Sequence, residues 1–181
     1  VATSQKHIDT IWKTSIALGG NLSDFTVWML ERSMKTLAIR VKAQQRNAKK
    51  LAKYLNTHEA ILKVYYPGLK THENHAIAKK QMKGFGAMMS FELKDHIDAS
   101  AFLKALKLIK PSMSLAGIES TMLLPAKTSH SLLTPESRAA QGISDGLIRF
   151  SVGIESKNDL IGDIDQAISH ILNSKLTMKN A

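Results

Sequence analysis

The sequence predicts an α/β or α+β fold, one sheet with helices largely on one side, and three observations carry that reading. From about residue 58 onward, segments of strand character alternate with segments of helix character. Ala87–Leu93 and the stretch around Phe150 alternate by side-chain type with period two, as half-buried strands do. From Asp24 to about Leu55 there is neither proline nor glycine, and Trp28, Met34, Leu37, Val41, Ala48 and Leu55 recur roughly at helical spacing.

Residues 1–22 are mixed in pattern and end in the loop signal Gly19-Gly20-Asn21, after which Ser23-Asp24 can cap a helix. The stretch from Asp24 then predicts one helix of about 30 residues, or two helices with a kink. Lys63–Tyr66 reads as a short strand, and Tyr66-Pro67-Gly68-Leu69 as a type II turn with glycine at positive φ. A short helix follows in "HENHAIAKKQM", then the strand Ala87–Leu93. Asp95 to Ile109 predicts an amphipathic helix through Phe102, Ala105, Leu106 and Ile109. Residues 112–124 predict one or two short strands broken at Gly117, and "TPESRAA" a short helix with Thr134 as cap and Pro135 at its first position.

Asp145-Gly146 is a turn signal before the strand around Phe150. There Ile148, Phe150, Val152 and Ile154 share one parity, while Arg149, Ser151 and Gly153 share the other. One face therefore meets a core and the other presents a guanidinium, a hydroxyl and bare backbone. On this pattern alone Arg149 is solvated, paired with an acid, or a ligand-binding group. Ser156-x-x-Asp159 opens a last helix to about Leu172, and the tail 177–181 is expected to fray.

The totals exclude several classes. The chain of 181 residues is 44% hydrophobic and 22% charged, ordinary for a folded domain, and contains no cysteine. Disulfides, thiolate catalysis and zinc–sulfur sites are thereby excluded. No apolar run reaches the length of a membrane span and no signal peptide is visible. The formal net charge of +10 points to anionic partners. Aromatics, at 6%, argue against single-strand binding by stacking. The first residue is Val1, compatible with a piece of a longer protein.

Three conspicuous features each admit a plainer reading. Lys42, Arg46, Lys49, Lys50 and Lys53 form a basic stripe that suits phosphate binding but reads first as a solvated helix face. His72 and His75 have feasible metal-ligand spacing but no third ligand, and read as a polar helix start; no metal is expected. Ser129-His130 suggests nucleophilic catalysis, but neighbours in an extended segment point apart, so no direct pairing is expected.

Several separated motifs together resemble one family. "SLAGIESTMLLPAKTSHSLLTPESRAAQGISDGLIRFSVGIESKNDLIGDIDQAI" is similar to the C-terminal domain of the pyridoxal-phosphate enzymes of cysteine and methionine metabolism, the trans-sulfuration group. "LGGNLSDFTVWMLERSMKTLAIR", "YYPGL" and "HENHAIAKKQMKGFGAMMSFEL" resemble that family's segments in the same order. The resemblance covers nearly the whole chain. It implies a fold-type I small domain with one mainly antiparallel sheet, the cofactor pyridoxal 5'-phosphate in the full-length protein, and elimination or replacement at Cγ or Cβ of sulfur amino acids. Cystathionine γ-synthase or γ-lyase is the expected type. It also implies 1–22 as the end of the large domain, 23–57 as a long linking helix and 58–181 as the small domain.

The same resemblance assigns residues. Arg149, in L-I-R-x-S-V-G, is implied to bind the substrate α-carboxylate; a guanidinium offers two parallel N–H bonds, which fix direction as well as charge. Ser114 matches a serine near the cofactor lysine and the carboxylate, Leu115 is expected to add backbone contacts, and Ser129 replaces a threonine while keeping a hydroxyl. Met113 falls where members differ and reaction choice is set: glutamate in cystathionine γ-lyases, tyrosine in one type of β-lyase, a small apolar residue in methionine γ-lyases. Ala116 and Ser33 replace usual glycines. The Schiff-base lysine of the family lies in an S-x-T-K segment that this sequence lacks, so the chain alone is expected to be inactive and to carry no catalytic residue of its own. The implied partners are an amino-acid substrate (cystathionine, a homoserine ester, cysteine or methionine) and further copies in a dimer of dimers. Neither a membrane nor nucleic acid is expected as a partner, and a cytoplasmic location is. The rival reading is a non-catalytic basic module using the Lys42–Lys53 stripe.

Overall fold

The structure, a computed structural model, describes residues 3–179, with side chains as far as Ser174. The chain divides into two compact units, one ending at Ala38 and the other beginning at Ile39.

The first unit holds α1 (Gln5–Leu18) and α2 (Asp24–Met34). Helix α1 was not foreseen in the mixed pattern of residues 1–22. It is capped by Ser4, whose hydroxyl accepts from the His7 N–H, and ends at Gly19 in the left-handed conformation. Ser23 caps α2 as expected, accepting from the Thr26 N–H. Neither helix buries a side chain. The long helical stretch is two helices: α2 stops at Met34, and α3 (Leu37–Thr57) starts after a turn at Lys35-Thr36.

In the second unit, α3 turns Ala48, Leu51, Ala52 and Leu55 onto the core. The remaining elements are β1 (Ile61–Tyr65), α4 (His75–Gln81), β2 (Met88–Leu93), α5 (Ala99–Ala105), β3 (Lys110–Pro111), β4 (Thr121–Leu123), α6 (Pro135–Ala140), β5 (Leu147–Ser151) and α7 (Lys157–Lys179). The five strands form one sheet in the order β1-β2-β5-β4-β3, antiparallel except for β3 beside β4. Met89, Phe91, Ile148, Phe150 and Met122 share one cluster with the apolar faces of α3, α5 and α7, so these helices cover one side of the sheet. Each fully buried Phe or Leu there contributes about 1.5–3 kcal/mol.

Local predictions fail where distant groups decide. The turn at Tyr66–Leu69 forms, closed by the Leu69 N–H donating to the Tyr66 carbonyl at 3.0 Å, but Gly68 does not have positive φ, so type II is corrected. Glycine is needed there for space: a Cβ would stand 2.5 Å from the Tyr66 ring. The helix expected over Asp95–Ile109 shrinks to α5. It starts late because the Asp98 carboxylate accepts from the Ser100 and Ala101 N–H groups. It ends early because Asp163 of α7 accepts from the N–H groups of Lys107, Leu108 and Ile109 at 2.8, 3.0 and 2.8 Å. Those bonds hold a bent path that inserts Ile109 into the core. Helix α7 overruns its expected end at Leu172; the fraying expected of the tail falls in part on residues 180 and 181, outside the described residues.

Candidate substrate-carboxylate site

β5 lies between β2 and β4, so Arg149 projects from the middle of the sheet, opposite Ser90 on one neighbour and Leu123 on the other. Its face is the one that does not meet the helical core. That face is covered all the same, by the loop 112–120, and this decides how the guanidinium is held. Nη2 of Arg149 donates to the Met113 carbonyl at 3.1 Å and the Ser114 carbonyl at 3.2 Å. Its Nε is buried without a hydrogen-bond partner. A buried, unpartnered donor on a cation is costly unless an anion completes it.

The loop is tied down at several points. Thr121 Oγ1 donates to the Ser114 carbonyl at 2.8 Å, and the Ala116 N–H donates to Ser151 Oγ at 3.1 Å. Gln44 of α3 donates to the Gly117 carbonyl at 2.6 Å. Glu155 accepts from the Ser120 N–H and hydroxyl, and Asn47 donates to the carbonyls of Gly153 and Glu155. Gly153 is glycine for a steric reason, since a Cβ would collide with the Ile118 carbonyl oxygen and the Glu119 backbone. Ser151 and Gly153, which share the Arg149 parity, are both buried under this loop.

Ala116 has φ of +61°, the only positive φ at a non-glycine among the described residues. An L side chain in that conformation costs roughly 1–2 kcal/mol. Replacing Ala116 by glycine is therefore expected to stabilise the fold by about 0.5–1 kcal/mol after glycine's extra chain entropy. Thermal unfolding checks it, and a lower Tm for A116G would contradict it.

Arg149, Met113 and Ser114 are thus brought together by hydrogen bonds. Leu115 shares the loop, and its side chain and that of Met113 are exposed. Beside the loop a small, mostly apolar cavity of about 180 Å³ is bordered by Met113, Leu123 and Thr128. No hydrogen bond among the described residues links Ser129 to Arg149. Instead Ser129 Oγ lies 2.8 Å from His130 Nδ1, which corrects the expectation that the two would not pair. The segment is not extended: it turns sharply after the 3-10 turn Pro125–Lys127, and the Ser131 N–H closes back onto the Thr128 carbonyl. His72 lies in the turn before α4, and no cluster of three metal-ligating side chains exists among the described residues. The tethers Gln44, Asn47, Thr121 and Glu155 were not foreseen, because their partners lie far away in sequence. Only the small residues at 151 and 153 hinted that something covers this face.

What is gathered here is a guanidinium steadied by two carbonyls, a group whose chemistry suits a carboxylate. It does not provide the amine that would hold the aldehyde of pyridoxal phosphate: Lys127, which borders the small cavity, donates to Ser100 Oγ instead, at 2.6 Å.

This fold is that of the pyridoxal-phosphate enzymes of fold type I. The family model for Cys/Met metabolism PLP-dependent enzymes matches residues 1–169, and the chain belongs to that family. It is 45% identical over 152 residues to a cystathionine beta-lyase of Lactococcus lactis subsp. cremoris (strain MG1363), covering 84% of this chain and 40% of that protein. Two solved structures superpose on it. One is a cystathionine gamma-lyase from Lactobacillus plantarum complexed with L-serine, at TM-score 0.88 and 38% identity, covering 95% of this chain and 45% of that one. The other is a cystathionine gamma synthase from Xanthomonas oryzae pv. oryzae in complex with cystathionine, at TM-score 0.86 and 42% identity, covering 96% and 45%. The chain spans less than half the length of these proteins. Among the described residues no helix is long and apolar enough to cross a membrane.

Proposed function

We propose that this chain supplies the substrate-carboxylate site of a pyridoxal-phosphate enzyme that eliminates or replaces a group at Cγ or Cβ of sulfur amino acids, in the manner of a cystathionine γ-synthase or γ-lyase. The observation that carries the reading is Arg149, anchored through Nη2 by two loop carbonyls and left with a buried, unpartnered Nε. Pyridoxal phosphate, when bound, supplies the electron sink for chemistry at Cα. This chain's residues do the orienting. Arg149 takes the carboxylate, the Met113 and Ser114 carbonyls keep the guanidinium from swinging, and Ser114 lines the approach. Fixing the carboxylate selects which bond at Cα is aligned for cleavage. Met113, at the rim of the small apolar cavity, meets the substrate side chain and biases β against γ chemistry. Leu115 and Ser129 complete the wall.

In this reading residues 1–22 close the large domain, 23–57 link it and 58–181 form the small domain. The exposed apolar side chains of α1 and α2, such as Trp12 and Phe25, support an origin in a larger body. The complete enzyme is a dimer of dimers in the cytoplasm, and the chain by itself turns over no amino acid. The test offers L-cystathionine to the intact enzyme and identifies the 2-oxo acid. Pyruvate with homocysteine marks β-elimination, and 2-oxobutyrate with cysteine marks γ-elimination. No 2-oxo acid, and no cystathionine formed from a homoserine ester and cysteine, would overturn the proposal.

A further inference from the structure

Away from Arg149, two cavities lie along α3. One, of about 390 Å³, carries Lys42, Arg46, Lys49 and Lys83. The other, of about 600 Å³, carries Lys49, Lys53, Lys70, Lys79 and Lys83. Lys49, Lys83 and Phe85 border both, so the two form one trough. Its walls hold seven distinct cations and no aspartate or glutamate. Four cations come from one face of α3, spaced i, i+4, i+7 and i+11, a run of about 17 Å at 1.5 Å per residue. The facing wall comes from the Tyr66 turn, α4 and the loop after it.

A merely solvated lysine face is usually interleaved with acids. Here none of the seven forms a salt bridge among the described residues. Like charges crowd beyond the trough as well: the Lys50 ammonium is held below its ordinary pKa by the close approach of Lys157, then by desolvation and by repulsion from Arg46. Such a surface is completed by an anion that meets several ammonium groups at once. Two features narrow the anion. The trough is concave and short, which suits a small ligand better than a duplex. Its aromatic floor is already engaged, because Phe85 stacks on His75 at 5.6 Å and meets Tyr66 edge-on at 6.4 Å, so no platform is left for successive bases.

We propose that this trough binds a linear oligophosphate, three or more phosphate groups in a row, supplied as inorganic polyphosphate or as the tail of a nucleoside triphosphate. Lysines suit such a chain, being mobile point charges that follow phosphates without demanding a planar fork. The trough shares no bordering residue with the Arg149 site, so its occupancy is read by binding and not by turnover.

The experiment is isothermal titration of the intact protein with sodium tripolyphosphate, ATP and orthophosphate at 50 mM and 200 mM salt. Tripolyphosphate is expected to bind one per chain, at least tenfold tighter than orthophosphate, and to weaken as salt rises. The double variant Lys49→Gln/Lys83→Gln is expected to lose at least tenfold, while Lys104→Gln/Lys107→Gln, which removes the same charge elsewhere, loses less than threefold. Tighter binding of ATP assigns the nucleotide as occupant, and tighter binding of tripolyphosphate assigns the inorganic chain; either supports the site. Equal losses in the two double variants, or no binding at 50 mM salt, would overturn it. So would tighter binding of a single-stranded oligonucleotide with the same number of phosphates, which would make the surface a nucleic-acid site.

Discussion

Lysine in place of Arg149 is expected to cost the complete enzyme roughly 30-fold to several hundredfold in kcat/KM, most of it as a higher KM for the amino acid. The charge survives this substitution, but the fork does not. A lysine ammonium that reaches the Met113 and Ser114 carbonyls has no second, parallel donor for a carboxylate. The size follows from truncating one partner of a desolvated, hydrogen-bonded charge pair, about 2–4 kcal/mol. Cofactor content, read from the absorbance of the purified enzyme, should be unchanged, which separates lost recognition from a collapsed site. An unchanged KM would remove Arg149 from the role given to it here.

Alanine at Asp163 should give the largest loss of stability, about 3–5 kcal/mol. The carboxylate is 6% exposed and accepts from three consecutive backbone N–H groups as well as from Gln166. Its removal strands those N–H groups in a place water does not reach, and the path that inserts Ile109 loses its anchor. At roughly 2–4 °C per kcal/mol for a unit of this size, Tm should fall by about 6–20 °C. A fall of less than 2 °C would mean that the apolar contacts of Ile109 alone hold the segment after α5.

The parts of this protein that were legible in the sequence are those set by neighbours within a few residues. The parity of β5 announced both its buried row and the guanidinium opposite. Thr134 and Ser23 announced the helix starts they cap. Helix α1 was missed although Ile8, Ile11, Trp12 and Ile16 recur at i, i+3, i+4 and i+8 behind the Ser4 cap. The shortened α5 was not legible because its end is fixed by Asp163, more than fifty residues downstream. At the site, the resemblance named Arg149, Ser114 and Met113, and the structure shows the three joined. The covering of Ser151 and Gly153 escaped notice, because period two says which way a side chain points and not what lies above it. Gly68 carries a related lesson: the residue type was read as a demand on φ when the demand was for room beside Tyr66.

The sheet order β1-β2-β5-β4-β3 places the last strand in the middle. The pairs β1-β2 and β4-β3 therefore meet only through β5, and a chain that stops short of it lacks the strand that joins them. Only when residues 147–151 enter do the halves join, and the loop under which Arg149 is clamped finds Ser151 and Glu155 at the same moment. A chain arrested before β5 would thus carry neither the Arg149 guanidinium nor the Ser151 and Glu155 groups that anchor the loop over it.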